Sequence, residues 1–179
     1  MHRLAKFIYY KILGWRLIGK FPQIDKAIFI VVPHTSWVDF FLGLLVRRVW
    51  NEEINFIAKK SLFKFPFGWY FRWMGGAPID RSKSNDTVSA IAQIFRENKK
   101  FRLALSPEGT RKKVTELKTG FYYIAKAAKV PIVMVTFDYG EKQIAISKPH
   151  FPTENKDVDF KVYKSFFKGV KGKIPEYSF

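Results

Sequence analysis

Two runs constrain this chain more than anything else in it. Ala27-Ile-Phe-Ile-Val-Val32 is short, apolar and rich in β-branched residues, and Pro33 closes it; Val130-Pro-Ile-Val-Met-Val-Thr136 has the same character. Such runs read as buried strands ending in turns. Ile54-Asn-Phe-Ile-Ala58, Ala77-Pro-Ile-Asp-Arg81 and Phe101-Arg-Leu-Ala-Leu105 read as further strands, and Gln143 to Ser147 as an edge strand. Between them lie helical patterns: Trp37 to Arg48, with Phe40, Phe41, Leu44 and Leu45 as its apolar side; Asn85 to Asn98, with Val88, Ile91, Ala92 and Phe95; and Thr119 to Lys129. Residues 156–173 suggest a last amphipathic helix. Strands alternating with helices predict an α/β domain whose sheet is mixed and largely parallel, flanked by helices. At 179 residues there is one domain and no linker or repeat to suggest a second.

The loops that leave two of these strands carry the chemistry. His34 follows the first run, and Thr35 or Ser36 can cap the next helix, which puts Asp39 in its first turn. Five residues do not bring two side chains onto one helix face, so a His34–Asp39 contact requires His34 in the loop and a bend between them. A carboxylate on one imidazole nitrogen fixes the tautomer and makes the other a better base. A histidine beside a helix-capping aspartate is the alternative. The 101–105 strand delivers Ser106-Pro-Glu-Gly-Thr-Arg111 at its C-terminal end, the usual side for sites in α/β sheets. There Gly109 lets backbone approach a ligand, Thr110 and Arg111 supply donors, and the Arg111 guanidinium suits a phosphate. A carboxylate beside a phosphate is repulsive, so Glu108 is expected to hold an arginine or accept a bond from an acceptor hydroxyl.

His34 and Asp39 at this spacing resemble the HxxxxD motif of the glycerolipid acyltransferases, the family of 1-acylglycerol-3-phosphate acyltransferase. Gly75-Gly-Ala-Pro-Ile-Asp-Arg81, Pro107-Glu-Gly-Thr-Arg111 and Val130-Pro-Ile-Val133 agree with further blocks of that family in order and separation, over roughly residues 14–150. The resemblance implies a catalytic His34–Asp39 pair and an acceptor-phosphate site with Arg81, Glu108, Gly109, Thr110 and Arg111. It implies transfer of a fatty acyl group from acyl-CoA or acyl carrier protein to the free hydroxyl of a lysophospholipid. Lysophosphatidic acid is the best match, with phosphatidic acid as product, and another lysolipid such as a lyso-ornithine lipid would keep the same blocks. The thioester is a co-substrate, and no cofactor or metal is expected: histidines at 2, 34 and 150 have no ligand spacing, and cysteine is absent.

A formal charge of +17 calls for anionic partners, and 19 phenylalanines favour a greasy one. No run reaches the ~18 apolar residues of a membrane-spanning helix, and the N-terminus lacks the pattern of a signal peptide. Residues 3–20 carry five basic and no acidic residues on an imperfect helical stripe, with Lys11 inside it. A surface-lying amphipathic helix over 1–20, followed by a catalytic domain over 21–179, predicts peripheral (monotopic) attachment to the cytoplasmic face of an anionic membrane. The same stripe also suits a helix covering the sheet. The aromatic segment Ser61 to Met74 reads as an acyl-groove wall, an interfacial patch or core. Two other classes compete: an inactive membrane-bound relative, and a basic nucleic-acid-binding module. The second lacks zinc-finger spacing, an RNP block and a convincing helix-turn-helix, so no nucleic acid is expected.

Overall fold

The computed structural model describes residues 2–59, 63–66, 68–79 and 84–179. Helix α1 (His2–Phe7) runs into a π-helical turn (Ile8–Ile12), followed by β1 (Arg16–Ile18), β2 (Lys26–Val32), α2 (Val38–Trp50) and β3 (Asn55–Lys59). Then come α3 (Gly68–Trp73), β4 (Gly76–Ile79), α4 (Ser84–Glu97), β5 (Phe101–Leu105), α5 (Gly120–Ala128), β6 (Ile132–Thr136), β7 (Gln143–Ala145) and α6 (Lys156–Phe167). Five strands form one sheet in the order β4-β3-β5-β2-β6, with every ladder parallel. β1 and β7 pair in a separate parallel ladder, tied to β6 by an antiparallel bridge between Val135 and Ile146.

The unbroken apolar run of β2 explains its central place, because both of its faces are covered. Ile28 and Ile30 join a core with Phe95 of α4, Phe121 of α5 and Tyr163 of α6; Ala27 and Phe29 join another with Ala5 of α1 and Val46 of α2. Each such buried aliphatic or aromatic side chain contributes roughly 1.5–3 kcal/mol. The crossovers that carry these helices leave in opposite directions. α2 leads from β2 to β3, on the far side of β5, whereas α5 leads from β5 to β6, on the far side of β2. The two connections pass each other on opposite faces of the sheet, and the loops after β2 and β5, parting to those faces, border a crevice beyond the C-terminal strand ends.

Tertiary contacts redraw several expected boundaries. The N-terminal helical stripe stops at Ile12 instead of Lys20: Gly14 takes a left-handed φ of 68°, and Arg16–Ile18 pairs with β7. Tyr9 and Trp15 are buried there, and the Tyr9 hydroxyl donates to the Arg16 carbonyl, so burial overrides helical periodicity. α2 lacks the expected Thr or Ser cap. Trp37 holds the N-cap position without a side-chain bond, and Ser36 Oγ accepts only a 3.3 Å bond from the Val38 N–H. α6 ends at Phe167 instead of Lys173, and the chain beyond it forms a strap across the sheet end. In this strap the Lys171 carbonyl accepts from the Tyr139 N–H at 2.7 Å, and the Ile174 N–H donates to Thr35 Oγ1 at 3.1 Å. A Cβ on Gly172 would lie 2.6 Å from the Thr35 side chain, so only glycine permits this approach.

The aromatic segment divides. Phe63 and Met74 are buried, while Phe65, Trp69 and Trp73 are exposed. No helix among the described residues is long and apolar enough to cross a membrane.

Candidate active site

The loop after β2 folds around the Asp39 carboxylate. Oδ2 accepts the Thr35 and Ser36 N–H groups, each at 2.9 Å, which supplies the bend that five residues of regular helix could not. The same oxygen lies 3.1 Å from His34 Nδ1, and Oδ1 accepts the Tyr139 hydroxyl at 2.7 Å. Burial alone would raise this carboxyl. The bonds from His34, Tyr139 and Ser36 outweigh it and hold Asp39 below its ordinary value, so it is an anion at neutral pH. With Nδ1–H directed to that anion, His34 keeps the Nε2 lone pair for chemistry.

Glu108 sits differently from its expected place. It is buried, and Oε2 accepts the His34 backbone N–H at 2.7 Å and Ser106 Oγ at 3.1 Å. The expected arginine partner is not among these contacts. The carboxylate instead stitches the β5 loop to the β2 loop. Burial pushes its pKa up, and the bonds from His34 and Ser106 only partly offset that.

Two cavities meet at His34. One, about 260 Å³, lies beneath α2 and is walled by Phe40, Gly43, Leu44, Phe29, Val31 and Phe56, with Asp39 and Ser106 at the histidine end. The other, about 790 Å³, is lined by Ser106, Gly109, Thr110, Arg111 and Lys118 on its polar side and by Ile57, Val88, Ile91 and Phe121 on its apolar side. His34 is on the wall of both. Gly109 has a left-handed φ of 66°, and a Cβ there would run into the Lys118 side chain. The Lys118 side chain thus fills the space beside the Gly109 backbone. Thr110 and Arg111 are exposed on the cleft wall. Arg81 lies outside the described residues.

His34, Asp39 and Glu108 are therefore one hydrogen-bonded unit, with Gly109, Thr110 and Arg111 along the adjoining cleft. Sequence reasoning missed Tyr139, which stands three residues past β6 and reaches Asp39 because β6 pairs with β2. No local pattern marks it. The aromatic segment reads in sequence as an acyl-groove wall, an interfacial patch or core, and no described residue from 63 to 74 lines the cavity beneath α2. Its signal was Gly43 within the apolar side of α2, where a missing side chain leaves room. Among the described residues no group of three or more His, Cys, Asp or Glu has a metal-binding arrangement.

A family model described as Acyltransferase matches residues 17–138. Over 122 residues the chain is 36% identical to 1-acyl-sn-glycerol-3-phosphate acyltransferase of Streptococcus pneumoniae, covering 66% of this chain and 44% of that protein. It is 33% identical over 100 residues to the Escherichia coli protein of the same name, covering 52% and 41%. It is 35% identical over 117 residues to the human 1-acyl-sn-glycerol-3-phosphate acyltransferase beta, covering 60% and 40%. The aligned part is thus less than half the length of each of these relatives. No solved structure matches. With a family model spanning most of its length and a His34–Asp39 pair at the mouth of two cavities, the chain belongs to the glycerolipid acyltransferase family.

Proposed function

We propose that this protein transfers a fatty acyl group from a thioester, acyl-CoA or acyl carrier protein, to the free hydroxyl of a lysophospholipid, with 1-acylglycerol-3-phosphate as acceptor and phosphatidic acid as product. One observation carries the reading: His34 stands where an apolar cavity meets a cleft bearing Arg111 and Lys118. A hydrocarbon chain suits the first, and a phosphate suits the second.

In this reading His34 Nε2 takes the acceptor hydroxyl proton while that oxygen forms its bond to the thioester carbonyl carbon. Asp39 stabilises the resulting imidazolium. Collapse of the tetrahedral intermediate breaks the carbon–sulfur bond, and the departing thiolate takes the proton back from His34. Acceptor ester and free thiol result, without an acyl-enzyme, and the step needs no metal or resident cofactor. Glu108 holds the His34 main chain, and Arg111 and Lys118 position the phosphate. They favour a phosphate-bearing acceptor over a lyso-ornithine lipid. A basic surface with exposed Phe7, Trp37, Trp69 and Trp73 supports peripheral attachment to an anionic bilayer, where acceptor and product reside.

The test is acyl transfer by purified protein on anionic vesicles carrying lysophosphatidic acid, with acyl-CoA and acyl carrier protein as alternative donors. Transfer with either donor is expected. Replacing Arg111 by Ala should raise KM for the phosphate-bearing acceptor about tenfold and leave kcat nearly unchanged, because an ionic bond outside the reacting atoms acts on binding. A wild-type protein silent with both donors overturns the acceptor assignment.

A further inference from the structure

A third cavity, about 630 Å³, opens on the other side of α2, away from the cavity beneath it. Its floor is apolar: Leu13 and Trp15 from the N-terminal segment, and Val38, Phe41, Leu42 and Leu45 from α2. Its rim is cationic, formed by Lys142 beside β7 and by Lys171 and Lys173 of the C-terminal strap, and no acidic side chain lines it. Glu141, the nearest acid in sequence, is paired with Arg16. We propose that this groove seats one phospholipid of an anionic bilayer, with its phosphate on the lysines and the start of its chain along the floor. The proposal rests on the membrane-surface reading above and gives it a specific lipid contact, outside the N-terminal helix and distinct from the substrate cavities.

Two features of the groove argue for that occupant together. Phe41 is 55% and Leu13 39% exposed, so apolar area stays in water on a floor that a chain would cover. The rim brings together three positive charges, Lys173 lying over the Tyr139 ring, and no carboxylate lines it to neutralise them. Inorganic phosphate would answer the rim and leave the floor wet. A neutral hydrocarbon would answer the floor and leave the charges unpaired. An acidic protein surface would meet the lysines but has no chain to lay into a trough. An anionic amphiphile satisfies both, and the volume lies within the range of small-molecule sites, which suits a headgroup phosphate and the start of a chain.

The experiment is vesicle co-sedimentation of the full chain with phosphatidylcholine vesicles, with and without phosphatidylglycerol, at physiological salt. Wild type is compared with Lys142→Glu/Lys171→Glu and with a charge-matched control on the opposite face of the sheet, Lys161→Glu/Lys168→Glu, with circular dichroism reporting on folding. The rim variant is expected to lose about thirtyfold in apparent affinity for phosphatidylglycerol vesicles, and the control only a few fold. Should the reversal variant fail to fold, Lys142→Gln/Lys171→Gln is expected to show a loss of about tenfold. Equal losses in rim variant and control overturn the groove, because net charge alone would then account for binding, while the membrane reading stands. Wild type that binds neither vesicle overturns both. Rim variants that keep their vesicle affinity but lose binding to acyl carrier protein also overturn the proposal and assign the lysines to an acidic protein.

Discussion

Among the described residues, two histidine–aspartate pairs are nearly alike as chemistry. His34 Nδ1 lies 3.1 Å from Asp39, and His150 Nε2 lies 2.9 Å from Asp159. The imidazoles are 30% and 26% exposed, and the carboxylates 1% and 0%. Each aspartate sits in the first turn of a helix and binds a tyrosine hydroxyl, Tyr139 on Asp39 at 2.7 Å and Tyr122 on Asp159 at 3.1 Å; Asp39 accepts the Thr35 and Ser36 N–H groups, and Asp159 that of Thr153. Both carboxyls are held below their ordinary value, since these bonds outweigh burial. Burial and the nearby Asp159 push Tyr122 up to about 12, so it stays a donor.

Two things separate the pairs: the ring nitrogen that meets the carboxylate, Nδ1 in His34 and Nε2 in His150, and the space beside the ring. His34 borders two cavities, whereas His150 lines none of the three cavities described. Its backbone pairs with Ile132 in both directions, and its ring meets Tyr163 edge-on. The hydrogen bonds that ready an imidazole for catalysis are the same ones that fasten a helix to a sheet. A pair becomes a candidate site when its second nitrogen faces a space that substrate can enter.

Removing each imidazole in turn has the largest expected effect. His34→Ala should lower acyl transfer about 10³-fold, the scale of a lost general base, with the fold intact by circular dichroism. Full activity in that variant would end the catalytic reading. His150→Ala should do the reverse. It leaves the buried Asp159 carboxylate short of a partner and should cost about 2–3 kcal/mol in denaturant unfolding. Turnover per folded molecule should be unchanged, and a collapse of turnover would mean that the two pairs do not differ as described.

Smaller effects are expected at the residues that hold the His34–Asp39 pair in place. Tyr139→Phe removes one bond to Asp39 and should reduce kcat about tenfold at constant KM. An unaltered kcat would make Tyr139 mere packing. Glu108→Gln should have the least effect. The raised carboxyl of Glu108 means that its contribution to stability is present at low pH and is lost as pH rises through the folded pKa. The amide should therefore hold or raise neutral-pH stability by up to about 1 kcal/mol, an advantage that disappears in acid. The aspartates have the opposite sign. Their contribution is in place above the unfolded value of about 3.9 and is lost below it.

Much of this was legible in the sequence because it is local. The 27–32 run, the bend that Asp39 requires and the strand-to-loop placement of Ser106–Arg111 depend on neighbours within a few residues. What failed depends on partners far along the chain. Arg16–Ile18 is a strand because β7 lies beside it, and Tyr139 reaches Asp39 across a hundred residues. Glu108 was expected to hold an arginine or to accept from an acceptor hydroxyl; besides Ser106, it meets a backbone N–H 74 positions away, a group that every residue but proline carries and no pattern marks.

α2 illustrates one further consequence. Phe40, Gly43 and Leu44 face the inner cavity, while Phe41, Leu42 and Leu45 face the outer groove. Adjacent codons thus belong to different compartments. Drift at one position alters what the chamber holds, and drift at the next alters what the exterior touches. Two heritable traits can vary separately on a single helix while the dyad at its head stays constant.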